Sequence, residues 1–392
     1  MKNSMAKKQI RGCHVMAKPV SSRCNLQCRY CFYLEKPPHP VMDDATLERF
    51  IQQHIAAQPG EVVEFAWQGG EPTLAGLPFY QRVVALQQRY GTGKKIRNSV
   101  QTNGILLNDA WCRFLRQQGW LVGISLDGPA DLHDTYRRTR SGQPTHHRVI
   151  VAIERLKAHQ VEFNLLTVIN QHNSRQPARL YHYLKSLGTP FLQFIPLVEQ
   201  DETGAVTSES VSPGRFGDFL TTVFDLWVQN DIGQVFVQLF DSTLGVWSGY
   251  PAQMCAFSKR CGHAFALEAN GDVYPCDHYV YPAYKLGNVH NISLHKVTQS
   301  QAAIRFGEQK YRLLAQACRV CPVRRLCRGD CPKHRLHQGK SYLCESYFRF
   351  FTHSAPYMAL MRNLIAQRRC PAELRSVMRA LAAQRPQNQP GG

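Results

Sequence analysis

The sequence contains no long hydrophobic run. No stretch approaches the ~18 consecutive apolar residues that a membrane-spanning helix requires. The basic opening, MKNSMAKKQIRG, is not followed by the apolar segment of a secretory signal peptide. These two absences argue against the membrane and secreted classes of protein, and they predict a cytoplasmic chain without a membrane partner.

Acidic residues are scarce relative to basic ones. Asp and Glu total 28 against 47 Lys and Arg, which gives a formal net charge of +19. This balance indicates either a polyanionic partner such as RNA or an ordinary solvated basic surface. The chain lacks a recognisable module that combines aromatic and basic residues for RNA binding. Nucleic acid is therefore not the expected partner, and a salt-sensitive RNA complex would be needed to revive an RNA-modifying enzyme as a rival.

Cysteine is absent from residues 113–254, although the whole chain contains 14. Three cysteines lie within residues 24–31, and eight more lie within residues 255–344. In a reducing compartment, clustered cysteines indicate metal binding or catalysis and not disulfide bonds. Of the others, Cys112 lies in the helical stretch DAWCRFL and is expected in the core. The pattern assigns no role to Cys13 or Cys370.

Short apolar runs alternate with amphipathic stretches from residue 14 to about residue 200. Strands are predicted at 14–20, 62–67, 95–102, 120–128, 162–170 and 191–198. Helices are predicted at 44–58, where Asp43 or Asp44 can cap the start, and at 77–91 and 213–230. This alternation predicts a parallel sheet, either doubly wound or closed into a full or partial barrel. Ligands of such folds gather at the carboxyl ends of the strands.

The first cysteine cluster, Cys24, Cys28 and Cys31, follows the first predicted strand with the spacing C-x3-C-x2-C. A tetrahedral zinc site or an ordinary iron–sulfur cluster takes four protein ligands. Three cysteines leave two interpretations open. One is an iron–sulfur cluster with an iron free to bind a small chelating molecule. The other is a zinc ion that takes a fourth ligand such as Cys13 or His14.

A glycine-rich segment, FAWQGGEPTL, follows the second predicted strand. Its Gly69 and Gly70 would let the backbone approach a ligand closely. A backbone carbonyl there, or the carboxylate of Glu71, could accept hydrogen bonds from an ammonium group. Together with the three-cysteine spacing, and in this order, the segment resembles the radical SAM superfamily. The resemblance implies a 4Fe–4S cluster whose open iron binds S-adenosylmethionine (SAM) and yields a 5′-deoxyadenosyl radical.

The second cysteine cluster resembles the SPASM domain, which follows the barrel in radical SAM enzymes that modify peptides. The signature here is Cys261, Gly271 and Cys276, then the run Cys318-x2-Cys321-x5-Cys327-x3-Cys331, and finally Cys344, with Cys255 as an eighth cysteine. The resemblance implies two auxiliary 4Fe–4S clusters, and therefore three clusters in all. It assigns Cys255, Cys261, Cys276 and Cys331 to the cluster nearer the substrate, and Cys318, Cys321, Cys327 and Cys344 to the outer cluster.

Further motifs resemble the anaerobic sulfatase-maturating enzymes, and the likeness covers about residues 14–360. They are CNLQCRYCFY, WQGGEPTLAG, QTNG, LDGP, QFIP, CDHYV and LGN. The resemblance implies a partial (β/α)6 radical SAM barrel over 1–240, a SPASM domain over 241–370, and a C-terminal helix with a disordered tail over 371–392. It also implies oxidation of a Cys or Ser to Cα-formylglycine in an unfolded sulfatase polypeptide with a C/S-x-P-x-R motif. The implied electron donor is a flavodoxin- or ferredoxin-like protein.

The same resemblance assigns roles to individual residues. The SAM site is implied to be lined by Tyr30, Gly69, Gly70, Glu71, Ser125, Arg137 and Val198. The last strand, with Pro196, Leu197 and Val198, matches the family less closely. Asp277 directly follows Cys276 and is implied to be the general base, with auxiliary clusters as electron acceptors. We expect the anionic cluster and partial burial to raise the pKa of Asp277, unless a neighbouring Arg or Lys opposes this.

Two alternatives remain at the level of the sequence. Another SPASM enzyme would form a thioether or carbon–carbon crosslink in a small peptide. A non-enzymatic zinc scaffold would hold zinc instead of iron, and analysis of iron and sulfide distinguishes it from all the enzymes.

Overall fold

The computed structural model describes residues 12–262, 264–336, 338–376 and 378. The strands within these ranges are β1 His14–Lys18, β2 Val62–Trp67, β3 Lys95–Thr102, β4 Leu121–Ser125, β5 Phe163–Ile169, β6 Phe191–Pro196, β7 Phe236–Val237, β8 Ala264–Glu268, β9 Asp272–Tyr274 and β10 Gly287–Asn288. The α-helices are α1 Asp44–Ala56, α2 Leu77–Tyr90, α3 Asp109–Gln117, α4 Ala130–Tyr136, α5 His146–Ala158, α6 Pro177–Ser186, α7 Pro213–Asn230, α8 Gln238–Trp247, α9 Leu294–Thr298, α10 Gln301–Arg312, α11 Gln316–Arg319, α12 Arg324–Cys327 and α13 Cys344–Ala366.

The predicted strands and helices are all present, with small differences at their ends. The predictions for β2, β3 and α7 match the observed bounds. Strand β1 ends at Lys18 because Pro19 follows and has no N–H to continue the ladder. Helix α1 begins after Asp43, whose Oδ1 accepts a hydrogen bond of 2.7 Å from the Thr46 N–H. Cys112 is fully buried, as predicted. The predicted disordered tail lies outside the described residues.

The described chain divides into two compact units. The first contains the residues up to 126, 133–163 and 260–312, and the second contains 127–132, 164–259 and the residues from 313 onward. The predicted domain boundary between residues 240 and 241 stays a prediction. Within the described ranges, no helix is both long enough and apolar enough to cross a membrane.

The first unit is built on a sheet in the order β10-β9-β8-β1-β2-β3-β4. Strand β1 lies parallel to β2 on one side and to β8 on the other. Strands β8 and β9 form an antiparallel hairpin, which the sequence analysis did not predict. Aromatic rings fill the core of this unit, and Trp67 stacks on Trp120 with centroids 6.5 Å apart. The sheet therefore brings the segment after β1 next to the segment after β8.

The second unit contains the parallel strands β5, β6 and β7 with helices α6, α7, α8 and α13. Its core is formed by rings from α7, α8 and α13, including Phe224, Phe240 and Phe350. The segment before α13 carries the cysteines from 318 to 344 in short helices and turns, as expected for a region with little apolar core.

Candidate functional site

The loop after β1 carries Cys24, Cys28 and Cys31 and is held by backbone hydrogen bonds. Within the loop, the Cys31 N–H donates to the Cys28 carbonyl over 3.0 Å. The loop is also tied to residues 136–138, because the Gln27 and Arg29 N–H groups donate to carbonyls of that segment over 2.9 and 3.0 Å. These bonds fix the three thiols relative to one another.

The thiol of Cys24 lies in a buried environment with nitrogen donors around it. The Leu26 N–H donates to Cys24 Sγ over 3.3 Å, and Asn103 Nδ2 lies 3.9 Å from the same sulfur. Burial raises the pKa of this thiol to about 12, and the charges of Cys28 and Cys31 add to the increase. The three cysteines are thus close enough to interact electrostatically, as a shared site requires.

The chemistry of this donor set fits an iron–sulfur cluster. N–H groups directed at cysteine sulfur are one of the means by which proteins tune such clusters. None of the fourteen cysteines, all of which lie within the described residues, forms a disulfide bond. Within residues 12–262, 264–336 and 338–376, no three His, Cys, Asp or Glu side chains converge closely enough to hold a single metal ion.

The loop after β2 lies directly against the cysteine loop. The Gly70 N–H donates to the Ser21 carbonyl over 2.7 Å, and the Glu71 N–H donates to the Arg23 carbonyl over 2.8 Å. A Cβ on Gly70 would lie 2.1 Å from the Arg23 carbonyl oxygen, well inside any real contact. Gly70 is therefore required for the close approach of two backbone segments, and its predicted approach to a ligand stays a prediction.

Replacing Gly70 with alanine should destabilise this site. The new Cβ would collide with backbone atoms of Ser22 and Arg23, which cannot move aside as the end of a flexible side chain can. Overpacking of this kind costs about 1–3 kcal/mol, and occasionally more. We expect a lower melting temperature and a lower iron content after anaerobic reconstitution. Gly60→Ala is the matched control, since no atom lies within 4 Å of a Cβ at that position. Equal melting temperatures for the two variants would contradict the packing argument.

The carboxylate of Glu71 is buried and occupied by protein donors. Its Oε1 accepts from the Thr73 N–H and hydroxyl over 3.0 and 2.6 Å and from the Thr102 hydroxyl over 2.7 Å. Its Oε2 accepts from the Asn103 N–H over 2.7 Å. These bonds join the ends of β2 and β3, which favours a backbone carbonyl over the carboxylate as the group for an ammonium ligand. Contact between Glu71 and SAM stays a prediction.

Two of the residues predicted to line the SAM site are in contact. Arg137 Nη1 donates to the Tyr30 hydroxyl oxygen over 2.8 Å, and the guanidinium is almost fully buried. Ser125 is the last residue of β4 in the same unit and is partly exposed. Val198 follows β6 in the second unit and is 3% exposed. The roles of these four residues toward SAM stay predictions.

Asp277 lies in a short 3₁₀ turn, Asp277–Tyr279, that follows the β8–β9 hairpin. The segment around this turn packs against the cysteine loop, because Tyr33 forms a buried cluster with Ala266, Tyr274 and Val280, and Cys31 and Phe32 lie against that cluster. The Phe32 ring also stacks on His278 with centroids 4.9 Å apart. The structure therefore places the segment of Asp277 beside the loop of the first cysteine cluster.

The electrostatics of Asp277 differ from the prediction. Burial raises the pKa of this carboxyl, but the positive charges of His278 and Lys18 and a hydrogen bond from the Cys276 thiol outweigh it, so that the pKa is lowered. The distance from Cys276 Sγ to Asp277 Oδ1 is 3.5 Å. The expected increase in pKa is therefore not found, because the charges of His278 and of the buried Lys18 oppose burial, and a neighbouring lysine is the condition under which the prediction allowed this. A carboxylate that is ionised at neutral pH meets one requirement of a general base.

The four cysteines assigned to the outer cluster all lie in the second unit and interact with one another. Burial raises the pKa of Cys327 to about 12, and the charges of Cys344 and Cys318 add to the increase. Burial also raises the pKa of Cys344, with Cys318 and Cys321 adding to it. Of the other set, Cys261 and Cys276 belong to the first unit and Cys255 and Cys331 to the second. The partition into two clusters stays a prediction.

The sequence analysis missed three residues of this site: Lys18, Tyr33 and Glu268. Lys18 is the register partner of Glu268 across β1 and β8, and both are 2% exposed. The Tyr33 hydroxyl donates to Glu268 Oε1. Lys18 could have been noticed in the sequence as a charged residue at the end of a predicted buried strand. Its pairing with Glu268 could not, because β8 lies far along the chain.

Comparison with known proteins supports the geometry. The model of the radical SAM superfamily matches residues 19–184, and that of the SPASM iron–sulfur cluster-binding domain matches residues 255–322. A serine-type anaerobic sulfatase-maturating enzyme from Bacteroides thetaiotaomicron is 41% identical over 395 residues, which cover 94% of this chain and 95% of that protein. The chain belongs to the anaerobic sulfatase-maturating enzymes.

Other anaerobic sulfatase-maturating enzymes are similar over nearly the same length. The cysteine-type enzyme of Clostridium perfringens is 33% identical over 367 residues, covering 90% of this chain and 98% of that protein. The solved structure of native anSMEcpe with bound AdoMet and Cp18Cys peptide shares 33% identity and a TM-score of 0.83, covering 90% of this chain and 99% of that one. The present chain is therefore a radical SAM enzyme. Its predicted fold, a partial barrel followed by a cysteine-rich SPASM domain, is confirmed.

Proposed function

We propose that this enzyme oxidises a Cys or Ser side chain in an unfolded sulfatase polypeptide to Cα-formylglycine. The observation that carries the proposal is the position of Asp277. Its carboxylate lies beside the thiol of Cys276, in a segment packed against the loop of the first cysteine cluster. Relatives named as serine-type and cysteine-type sulfatase-maturating enzymes support this activity, and one similar structure contains AdoMet and a peptide.

The residues present fit three 4Fe–4S clusters and SAM. Cys24, Cys28 and Cys31 would hold the cluster that binds SAM, and the eight later cysteines would hold two auxiliary clusters. Tyr30, Gly70, Ser125, Arg137 and Val198 would line the SAM site. When bound, these groups would supply a radical that takes a hydrogen atom and an acceptor for one electron.

The proposed reaction removes two hydrogens from the target side chain. One leaves the target Cβ as a hydrogen atom. Asp277 would take the other, as a proton, from the thiol or hydroxyl group, and an auxiliary cluster held by the later cysteines would supply the acceptor for one electron. A serine target then carries the aldehyde directly, whereas a cysteine target gives a thioaldehyde that water converts to the aldehyde with release of hydrogen sulfide. The chain itself contributes the base at Asp277 and the tyrosine–arginine pair of Tyr30 and Arg137.

The proposed partners are the sulfatase polypeptide, with a C/S-x-P-x-R motif, and a flavodoxin- or ferredoxin-like electron donor. The segment of residues 318–335 carries six Arg or Lys against one Asp. Charge of one sign steers an oppositely charged protein toward its docking site. The basic segment around the outer-cluster cysteines therefore suits an acidic electron carrier.

The proposed activity predicts a specific product from short peptides. The anaerobically reconstituted enzyme, given SAM and a reductant, should convert a C-x-P-x-R or S-x-P-x-R peptide to the aldehyde. Mass spectrometry detects the product, and a hydrazide reagent that reacts only with the aldehyde confirms it. The matched control is the same peptide with alanine at the target position, which should stay unchanged. A thioether or carbon–carbon crosslink in place of the aldehyde would contradict the proposal and favour another SPASM enzyme.

A further inference from the structure

A lysine is buried in the middle of the proposed site. Lys18 is the last residue of β1, is 2% exposed, and is paired in register with Glu268 of β8. Its ammonium lies 4.0 Å from the centroid of the Tyr33 ring. Tyr33 in turn donates its hydroxyl hydrogen to Glu268. The lysine side chain is thus held by a ring and by the neighbouring strand, and a buried charge of this kind is costly unless it is compensated.

The compensating groups come from both cysteine clusters. Burial lowers the pKa of the Lys18 ammonium, and four acidic groups oppose this decrease, namely Asp277, Glu268, Cys276 and Cys31. Cys31 belongs to the first cluster, and Cys276 is an auxiliary-cluster cysteine. Asp277 is the proposed base. Tyr33, whose ring faces this ammonium, packs against Tyr274 and Val280, which flank Cys276 and Asp277 in the sequence, and Cys31 lies against the same cluster.

We propose that Lys18 is a positioning residue that holds the Asp277 carboxylate beside Cys276 and raises the reduction potential of the cluster that Cys276 binds. The inference rests on the proposed function, since it requires an auxiliary cluster at Cys276. Reduction adds one negative charge to a cluster, and a nearby buried cation stabilises that charge. The low dielectric of a buried site strengthens the effect, whereas a solvated surface lysine would be screened. Lys18 thereby favours entry of the substrate electron into the auxiliary cluster.

A second buried lysine provides a matched control. Lys36 is 4% exposed and lies 3.1 Å from the centroid of the Tyr281 ring. Like Lys18, it is buried and its ammonium contacts the face of a tyrosine ring. Unlike Lys18, it is not the register partner of a buried carboxylate on β8. The same substitution at the two positions separates loss of a buried lysine in general from loss of the lysine at this site.

The test is a redox titration of the reconstituted holoenzyme followed by electron paramagnetic resonance. Lys18→Met should lower the midpoint potential of one auxiliary cluster by an amount equivalent to a tenfold change in its one-electron equilibrium, which is 59 mV. Cys276→Ala identifies that cluster, because its signal should disappear in this variant. Lys18→Arg keeps the charge and should retain the wild-type potential. Lys36→Met should leave the potential unchanged.

A second variant, which should shift the cluster potential in the opposite direction, keeps the inference testable if the Lys18→Met enzyme does not incorporate iron. Glu268→Gln retains an acceptor for the Tyr33 hydroxyl and removes the anion paired with Lys18, so the potential of the same cluster should rise. An unchanged or lower potential in Glu268→Gln, or an unchanged one in Lys18→Met, would overturn the inference. A wild-type enzyme without an auxiliary cluster would instead overturn the proposed function on which the inference rests.

Discussion

Replacing Cys24, Cys28 and Cys31 together with alanine should abolish SAM cleavage and remove about one third of the bound iron. The three thiols lie on one loop, and the pKa of Cys24 responds to the other two. Without them no protein ligand remains for the cluster that binds SAM. Iron and sulfide analysis measures the first effect, and chromatography of 5′-deoxyadenosine measures the second.

The auxiliary clusters should survive this triple substitution. The four outer-cluster cysteines all lie in the second unit, whereas the substituted loop lies in the first. Metal binding and local folding are coupled in cysteine-rich segments, so the second unit should retain its own cluster. Cys370→Ala is the control, because Cys370 is exposed and has no assigned role; it should keep all iron and all SAM cleavage. Full occupancy by zinc with no acid-labile sulfide in the wild type would disprove the cluster assignment.

Local patterns were sufficient to predict the strands of the barrel from the sequence. The bounds of β2 and β3 follow from short apolar or alternating runs, whereas β1 and β6 each end two residues before the predicted position. The cysteine spacing was equally informative, because ligands three or four residues apart must share a loop. Properties that depend on neighbours in sequence were therefore predictable.

The hairpin of β8 and β9 was not predicted, although Asn270 and Gly271 form a recognised hairpin signal. Gly271 adopts a φ of 85°, which suits glycine in this turn. The flanking strands are short and lie between cysteines, and no strand was predicted there. Its place in the sheet comes from parallel pairing with β1, a contact between distant parts of the chain that no local pattern encodes.

The electrostatics of the site could not be predicted for the same reason. The sequence placed Asp277 beside Cys276, which is a local relation. The lowered pKa of Asp277 depends on His278, the next residue in the sequence, and on Lys18, which reaches the site only because β1 and β8 are paired. The contribution of Lys18 could not be assigned from the sequence, since this cation lies more than half the chain away from Asp277. The register of β1 and β8 therefore contributes to the charge balance of the site.

The sharpest test of the mechanism is Asp277→Asn, which should lower aldehyde formation by ~10²-fold or more while SAM cleavage continues. Asparagine keeps the size of the side chain and can still hydrogen bond beside Cys276, but it cannot accept the proton of the target thiol or hydroxyl. SAM cleavage requires only the first cysteine cluster and an electron, and Asp277 has no part in either. The variant should therefore form 5′-deoxyadenosine without matching amounts of aldehyde.

Isotope labelling distinguishes loss of the base from loss of substrate binding in this variant. With deuterium at the Cβ of the target residue, Asp277→Asn should still transfer deuterium to 5′-deoxyadenosine, because hydrogen abstraction does not depend on the carboxylate. Asp272→Asn is the matched control on the same hairpin: it removes a carboxylate that pairs with Lys285 at 2.6 Å, and it should retain aldehyde formation. If Asp272→Asn lost activity equally, disruption of the hairpin would explain both results. Wild-type rates of aldehyde formation in Asp277→Asn would show that this carboxylate is structural and that the proton leaves by another route.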